Sequence, residues 1–148
     1  MAGRFEATVE INRPVEEVFA FLADGENDPK FSPRVIAMAK KTEGPTGVGT
    51  VYASTVKDAG LTTHREFRIT EFVTPTRIRW AEVSKNLVTA KEGGYDLEST
   101  GPGTTRLRIF NLLEGHGVGK VVAGLALSAA RKDADAFGRR IKAVVEAP

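Results

Sequence analysis

Three polar residues fall in phase with apolar ones on predicted strands, and their side chains could carry chemistry. Glu82 follows Trp80 at the two-residue spacing of a strand face, Asn111 follows Ile109 in the same way, and Tyr95 shares the phase of apolar positions. Buried polar groups need hydrogen-bond partners, so inside a cavity these side chains would orient a ligand or join an internal network. Burial also favours the neutral form of a carboxyl group, which would let Glu82 act as a general acid or base.

Each of these residues could also lack any catalytic or ligand-binding role. Glu82 stands near the end of its predicted strand, where water would reach it. Lys91 shares the phase of Tyr95, but a bulge at Gly93-Gly94 would turn Lys91 outward. The sequence therefore names Glu82, Tyr95 and Asn111 as candidate catalytic or ligand-orienting residues and leaves open whether they line a site at all.

The other reactive residue types do not form a recognisable site. His64 shares a strand face with Glu66 and Arg68, which is typical of a solvated surface, and His116 lies in a glycine-rich loop. The chain has no cysteine, no HExxH motif and no GxSxG motif. The glycine-rich loop precedes a helix but lacks the βαβ context of a dinucleotide site. We therefore expect no metal and no cofactor.

The composition is typical of an ordinary globular protein. Of the 148 residues, 41% are hydrophobic and 27% are charged, and the net charge is +2. This charge is mild and acidic residues are mixed among the basic ones, so we expect no nucleic-acid partner. The N-terminus lacks an apolar core of signal-peptide length, and no apolar run is long enough to cross a bilayer. We expect one domain over residues 1–148 in the cytoplasm, monomeric or homodimeric, without integral membrane association.

The segment Phe5 to Asp24 predicts a strand that leads at once into a helix. Apolar residues alternate with polar ones up to Ile11, and after Asn12-Arg13-Pro14 they recur at helical spacing. Pro14 suits a first helical turn, because its missing N–H would have had no partner there. A strand followed directly by a short amphipathic helix indicates a small α+β domain that wraps a sheet. After this helix, Gly25 to Pro33 is loop-like, with room for one short helical turn.

Six more strands and a long helix follow. The predicted strands are Val35 to Lys41, Thr50 to Lys57, Thr62 to Val73, Arg77 to Lys85, Leu87 to Glu98 and Thr105 to Leu113, with Asp58-Ala59-Gly60 as a hairpin signal. Short turns between consecutive strands predict an antiparallel meander. From Val118 to Val145 the pattern is helical, and the apolar stripe predicted to face the sheet comprises Val118, Val122, Leu125, Ala129 and Ala136. A long helix laid over a curved sheet leaves space between them.

Four segments carry a resemblance to a known family. They are Val9 to Phe19, Gly47 to Tyr52, Ile69 to Ile78, and Tyr95 to Glu98 leading into Gly103 to Leu107. In these segments the chain resembles the START-like, or SRPBCC, superfamily, most closely its polyketide cyclase/dehydrase and lipid-transport branch. The resemblance implies a helix-grip fold, in which a curved antiparallel sheet of about seven strands wraps around a long C-terminal helix, with one or two short helices after the first strand.

The resemblance also implies a cavity between the concave sheet face and the long helix. Such a cavity would suit a small hydrophobic or aromatic ligand, for example a lipid or a polyketide-like molecule. Strand alternation combined with this inward face gives the candidate lining residues, which are Phe67, Ile69, Ile78, Trp80, Glu82, Tyr95, Leu107, Ile109, Asn111, Val122, Leu125 and Ala129. Apolar periodicity reports burial and not ligand contact, so the same residues would equally form a packed core.

Three functions fit this sequence, since one fold supports several activities. A carrier or receptor of small hydrophobic molecules would have a continuous apolar cavity with few polar groups. A cyclase/dehydratase-type enzyme would have at least one buried carboxylate, tyrosine or histidine with a perturbed pKa facing that cavity. An interaction module would have a filled cavity and an exposed apolar patch.

Overall fold

The computed structural model describes residues 2–58 and 60–148. The strands are β1 Ala2–Ile11, β2 Val35–Lys40, β3 Val51–Asp58, β4 Leu61–Val73, β5 Arg77–Glu82, β6 Val88–Gly101 and β7 Thr104–Gly115. The helices are α1 Val15–Ala23, a 3-10 helix Gly25–Lys30, and α2 Gly119–Glu146. Ala59, in the predicted hairpin, lies outside the described residues, while β3 and β4 pair from Asp58 and Leu61 onward.

All the strands form one antiparallel sheet. Their order is β1-β7-β6-β5-β4-β3-β2, so each strand from β2 to β7 lies beside its neighbour in sequence. This confirms the predicted meander, to which β1 is added beside β7. The long helix α2 lies on one face of the sheet and the short helices follow β1, which confirms the helix-grip fold.

The strand register separates an inner face, toward α2, from an outer face. One inner row crosses the sheet and is buried throughout its first four positions: Ala7, Ile109, Tyr95, Ile78 and then the partly buried Phe72. The next row lies on the outer face and is mostly charged: Thr8, Arg108, Asp96 and Arg77. Because side chains alternate between faces, the apolar phase of each strand fixes which of its residues can meet α2.

Helix α1 begins where the sequence pattern placed it. The carbonyl oxygen of Pro14 accepts hydrogen bonds from the N–H groups of Glu17 and Val18, at 3.0 and 3.2 Å. Val18 and Phe19 are buried, and the Phe19 ring packs edge-on against Phe72 with a centroid separation of 5.2 Å. Helix α1 therefore closes one end of the inner face.

The C-terminal end of α2 is fastened to the junction between β1 and α1. The N–H of Asn12 donates to a carboxylate oxygen of Glu146 at 2.7 Å, and the guanidinium of Arg13 donates to the Glu146 carbonyl. Lys142 pairs with the same carboxylate at 2.5 Å, and Ile141 beside it is fully buried. This half of the helix is held against the sheet by both charge and packing.

The predicted sheet-facing stripe of α2 is wrong in the first half of the helix. Val118, Val122 and Leu125 are exposed by 75%, 47% and 71%, and Ala129 is exposed as well. The positions that the helix buries are instead Gly119, Ala123, Ala134, Gly138 and Ile141. Most of these are small residues, which let the helix backbone lie close to the sheet, so close approach and not side-chain hydropathy decides the buried face.

The bulge predicted at Gly93-Gly94 lies earlier in β6. The register shifts between Ala90 and Glu92, while both glycines continue the ladder with β5 and β7. A Cβ atom on Gly93 would clash with the side chains of Asn111 and Trp80. Glycine is thus needed at this position because two side chains of neighbouring strands meet over it, and not because the strand bends there.

Candidate ligand-binding site

The candidate site is the part of the inner face that α2 covers only partly. Helix α2 packs mainly on β1 and β7, and on the inner face Phe67, Trp80 and Asn111 keep some exposure while Tyr95 among them is buried. We call this surface the inner cleft and define it by Arg65 and Phe67 on β4, Trp80 on β5, Tyr95 on β6 and Asn111 on β7. The register places all five residues on the inner face.

Two aromatic rings and an amide meet in the inner cleft. The indole Nε1–H of Trp80 donates to Oδ1 of Asn111 at 3.3 Å. The Trp80 and Tyr95 rings pack edge to face, with centroids 5.0 Å apart and planes 63° apart. Within the described part of the chain, the Asn111 amide nitrogen has no hydrogen-bond partner. The arrangement offers apolar surface together with a hydrogen-bond donor.

A carboxyl group that the sequence analysis missed lies near Tyr95. Burial raises the pKa of Asp28, on the 3-10 helix, to about 7, and the negative charge of Asp24 adds to this rise. Burial also raises the pKa of the Tyr95 hydroxyl well above its usual range, and the neighbouring Asp28 carboxylate adds to that rise. In residues 2–58 and 60–148 neither side-chain group has a hydrogen-bond partner. Asp28 is therefore poised to gain or lose a proton near neutral pH.

Glu82 sits at the centre of a hydrogen-bonded network. Its side chain is fully enclosed and accepts hydrogen bonds from Arg65 and from the Ala90 N–H, both at 2.9 Å. The Ser84 hydroxyl and the Asn86 amide also donate to it, at 2.6 and 2.7 Å. Both carboxylate oxygens are thus occupied in holding β4, β5 and the turn before β6 together. The predicted role of Glu82 as an acid, a base or a ligand contact stays a prediction.

Arg65 is a second residue that the sequence analysis missed. Its Nη1 donates to Glu82 and to the carbonyl of Val88 at 2.8 Å, and its side chain is 21% exposed. The hydroxyl oxygen of its strand partner Ser54 is fully enclosed and has no hydrogen-bond partner within the described residues. Arg65 lies two residues before Phe67 on β4, so the alternation of side chains along the strand would have predicted that Arg65 points inward.

The structure brings only some of the predicted site residues together. Phe67, Trp80, Tyr95 and Asn111 share the inner cleft, with Phe67, Trp80 and Asn111 half-buried. Four further candidates are part of the packed core, namely Ile69, Ile78, Leu107 and Ile109. The helix candidates Val122, Leu125 and Ala129 lie on the exposed face of α2 and not beside these residues. Ligand contact by any of the candidates stays a prediction.

Two grooves of about 550 Å³ each lie on the outer side of the sheet. In the first, Asp96 pairs with Arg79 at 2.8 Å and Arg108 at 2.7 Å, and Arg77 adds a third contact. Partial burial acts to raise the pKa of Asp96, but hydrogen bonds from Arg108 and Arg79 outweigh it and lower that pKa. Glu71 and Glu98 also line this groove and pair with Arg77 and Arg106, so its basic side chains already have acidic partners. The second groove is lined by residues of β2 and β3, such as Ala39, and by His64, Arg65 and Glu66 of β4.

The described residues contain no group of His, Asp or Glu side chains arranged to hold a metal ion. His116, in the loop before α2, lies 2.9 Å from the hydroxyl of Thr89. Among the helices of residues 2–58 and 60–148, none combines the length and the apolar character needed to span a membrane.

Comparison with known proteins identifies both a family and a fold. The family model described as polyketide cyclase / dehydrase and lipid transport matches residues 2–146. No curated protein matches the sequence. Among solved structures, the aromatase/cyclase Zhui from Streptomyces sp. R1128 superposes with a TM-score of 0.81 at 18% identity, covering 99% of this chain and 94% of that one.

Two further structures show the same fold. A START superfamily protein from Mycobacterium smegmatis has a TM-score of 0.68 at 18% identity, covering 95% of this chain and 98% of that one. The di-domain ARO/CYC protein StfQ of the steffimycin biosynthetic pathway has a TM-score of 0.74 at 16% identity, covering 99% of this chain and 51% of that one. At these identities the likeness concerns the fold alone.

Proposed function

The chain belongs to the polyketide cyclase/dehydrase and lipid-transport family of the START-like superfamily, and from that membership we propose that it binds a small hydrophobic or aromatic ligand in the inner cleft. The observation that carries this proposal is the meeting of Trp80, Tyr95 and Asn111 on the concave face of the sheet. One solved relative in fold is itself named an aromatase/cyclase, which supports a ring-bearing ligand.

The chemistry of the inner cleft favours a flat apolar molecule with a carbonyl or hydroxyl oxygen. Phe67 and Trp80 are half-buried although they point inward, so a ligand that covers their rings would remove apolar surface from water. The amide nitrogen of Asn111 and the partly exposed guanidinium of Arg65 are donors within the same surface. Few polar groups at fixed positions beside apolar walls are what small-molecule sites generally contain.

Trp80 is the only tryptophan of the chain, so its fluorescence reports on the inner cleft directly. We would titrate the protein with 1-naphthol and with 1-anilinonaphthalene-8-sulfonate, following both Trp80 emission and probe emission. A saturable change in Trp80 emission is expected, and it should be absent in Trp80→Phe. Phe67→Ser should weaken binding about tenfold, because burying an aromatic side chain is worth roughly 1.5–3 kcal/mol.

A matched control separates the inner cleft from other apolar surface. Leu125→Ser removes an exposed apolar side chain from α2, and it should leave the Trp80 titration unchanged. If neither probe gives a saturable Trp80 response, or if Leu125→Ser and not Phe67→Ser abolishes it, the ligand does not bind where we place it.

A cyclase/dehydratase-type activity is the second candidate, and Asp28 favours it. An enzyme of this class needs a base that removes a proton next to a carbonyl group, and efficiency is greatest when its pKa lies near the working pH. Asp28, with a pKa raised to about 7 by burial and by Asp24, meets that condition. In such a step the Asp28 carboxylate would take the α-proton, and the Tyr95 hydroxyl would donate a hydrogen bond to the enolate oxygen that forms.

Hydrogen exchange in a ketone would test this candidate without the natural substrate. We would incubate 1-tetralone with the protein in deuterium oxide and measure exchange at its α-carbon by mass spectrometry. A catalysed rate that rises with pH as Asp28 ionises, and that Asp28→Asn abolishes, would support the enzyme. If exchange stays at the buffer rate while the Trp80 titration shows 1-tetralone bound, the cleft binds the ketone without activating it.

A further inference from the structure

The exposed large apolar side chains of the described residues are gathered at one end of the fold. Apart from Val48 and Val73, they lie toward the end of the sheet at which β2 and β4 begin and β5 ends, or on the first turns of α2. The members are Ile36, Leu61, Val83, Leu87, Val118, Val121, Val122 and Leu125. Scattered apolar residues are normal on a protein surface, but a contiguous group marks an interaction site.

The centre of this surface is a stripe on the first turns of α2. Val118, Val121, Val122 and Leu125 follow one another at helical spacing, and their exposures are 75%, 72%, 47% and 71%. Leu87 adjoins the stripe, because its carbonyl accepts the N–H of His116 at 2.9 Å just before the helix. We call these five residues the apolar rim: Leu87, Val118, Val121, Val122 and Leu125. Unlike an ordinary surface helix, α2 turns this apolar stripe away from the sheet.

The charge around the apolar rim is positive. Lys85 and Lys120 are exposed, and neither takes part in an ion pair within the described part of the chain. From Gly115 to Lys132 the sequence contains no acidic residue, and the first acid of α2 is Asp133. Apolar side chains flanked by unpaired lysines are complementary to a surface that has an anionic outer layer over an apolar interior.

We propose that the apolar rim docks this protein on the anionic surface of a lipid bilayer. The valine and leucine side chains of α2 enter the boundary between head groups and acyl chains, and Lys85 and Lys120 contact the lipid phosphates. A second copy of the chain fits this surface less well, because a two-fold interface pairs the surface with itself, and the segment from Gly115 to Lys132 has no acidic residue to pair with the lysines. Docking of this kind is peripheral and requires no spanning helix.

Vesicle co-sedimentation of the full chain tests this proposal. The probe is a phosphatidylcholine vesicle with or without about one third phosphatidylglycerol, an anionic content typical of strong surface potentials. Binding is expected only to the anionic vesicles, and it should fall as salt is added, because exposed charges are screened. The double variant Val121→Ser with Leu125→Ser should bind about tenfold more weakly through lost apolar burial. Lys85→Glu with Lys120→Glu should cost at least about tenfold, since each lysine near an anionic surface contributes about fivefold.

Matched controls exist elsewhere on the chain. Val48→Ser removes a 71% exposed valine at the opposite end of the fold, and Arg68→Glu reverses an exposed charge on the outer face of β4. Both should bind vesicles like the unaltered protein, and circular dichroism would verify that every variant is folded. The proposal is overturned if the unaltered protein does not sediment with anionic vesicles, or if both controls weaken binding as much as the rim variants. A concentration-dependent dimer that Leu125→Ser dissociates would instead assign the apolar rim to a second copy.

Discussion

Asp28→Asn is expected to stabilise the protein at alkaline pH and to leave it unchanged at acid pH. The side chains of aspartate and asparagine are nearly equal in size, so the variant removes the ability to ionise and little else. In the folded state, burial and the charge of Asp24 raise the pKa of Asp28 from its ordinary 3.8 to about 7. Between these values the folded state keeps a proton that the unfolded state has lost. The stability of the unaltered protein therefore falls as pH rises through this window.

The magnitude follows from the two pKa values. Each pH unit between them corresponds to about 1.4 kcal/mol, so a rise from 3.8 to about 7 gives at most ~4 kcal/mol. Asp28 as a residue keeps part of its surface accessible to water, which relaxes the penalty, and we expect about 2 kcal/mol. The gain of Asp28→Asn over the unaltered protein should grow from near zero below about pH 4 to this value above about pH 7.

Urea unfolding at a series of pH values would measure this difference. The difference between the free energies of unfolding of Asp28→Asn and of the unaltered protein, taken at each pH, cancels the contribution of every other titrating group. The matched control is Asp135→Asn, on the exposed side of α2, which should have a small effect at all pH values. A gain that does not change with pH would show that Asp28 does not titrate in this window. A loss of stability at high pH would show that the ionised carboxylate has a partner in the folded state, which would refute the reasoning.

Two more substitutions probe the packing around the inner cleft. Gly93→Ala should destabilise the fold by about 1–3 kcal/mol and shift the Trp80 emission, because the new methyl group must displace the side chains of Trp80 and Asn111. Urea unfolding measures the loss of stability, and fluorescence spectra measure the shift. Glu82→Ala should cost about 3 kcal/mol, because it leaves Arg65 without its carboxylate partner, and hydrogen exchange at the β5–β6 turn should speed up.

Each of these substitutions has a control. Gly103→Ala adds a methyl group where nothing lies within 4 Å, so it should be nearly neutral. Glu98→Ala removes a carboxylate that is 70% exposed and 3.8 Å from Arg106, and its effect should be small. If Gly103→Ala costs as much as Gly93→Ala, the clash with Trp80 is not the cause. An unaltered exchange rate in Glu82→Ala would show that the network does not hold the turn.

The fold could be predicted from the sequence because strands and turns have local sequence signals. The alternation that ends at Ile11 and the helical spacing after Pro14 depend on neighbouring residues only, and both appear in the structure. The same alternation placed Phe67, Trp80, Tyr95 and Asn111 on one face, and the register confirms that common face. Cytoplasmic location, oligomeric state and the absence of a nucleic-acid partner stay predictions.

The predictions that failed, namely the buried face of α2 and the residues around Tyr95, concern properties that depend on contacts between residues distant in sequence. The apolar pattern of α2 indicated that Leu125 faces the sheet, but the helix packs through Gly119 and Ala123, and no periodicity of large residues reveals such packing. Asp28 was missed because it lies in a polar segment without periodicity, and only the tertiary fold brings its carboxyl near Tyr95. Burial of a polar group is decided by what covers it, which a local pattern does not contain.

The pairing of β1 with β7 also has a consequence for folding kinetics. All the other strands and both short helices lie between these two strands in the sequence, so β1 and β7 meet only after the intervening residues have closed into a loop. The entropy lost on closing a loop of this length must be compensated before the contacts between β1 and β7 add stability. Folds rich in pairings between distant residues fold on the order of milliseconds to seconds. During synthesis, the β2–β6 meander can assemble early, while β1 waits for its partner to leave the ribosome. The inner row from Ala7 to Ile78 is therefore among the last parts of the molecule to be completed.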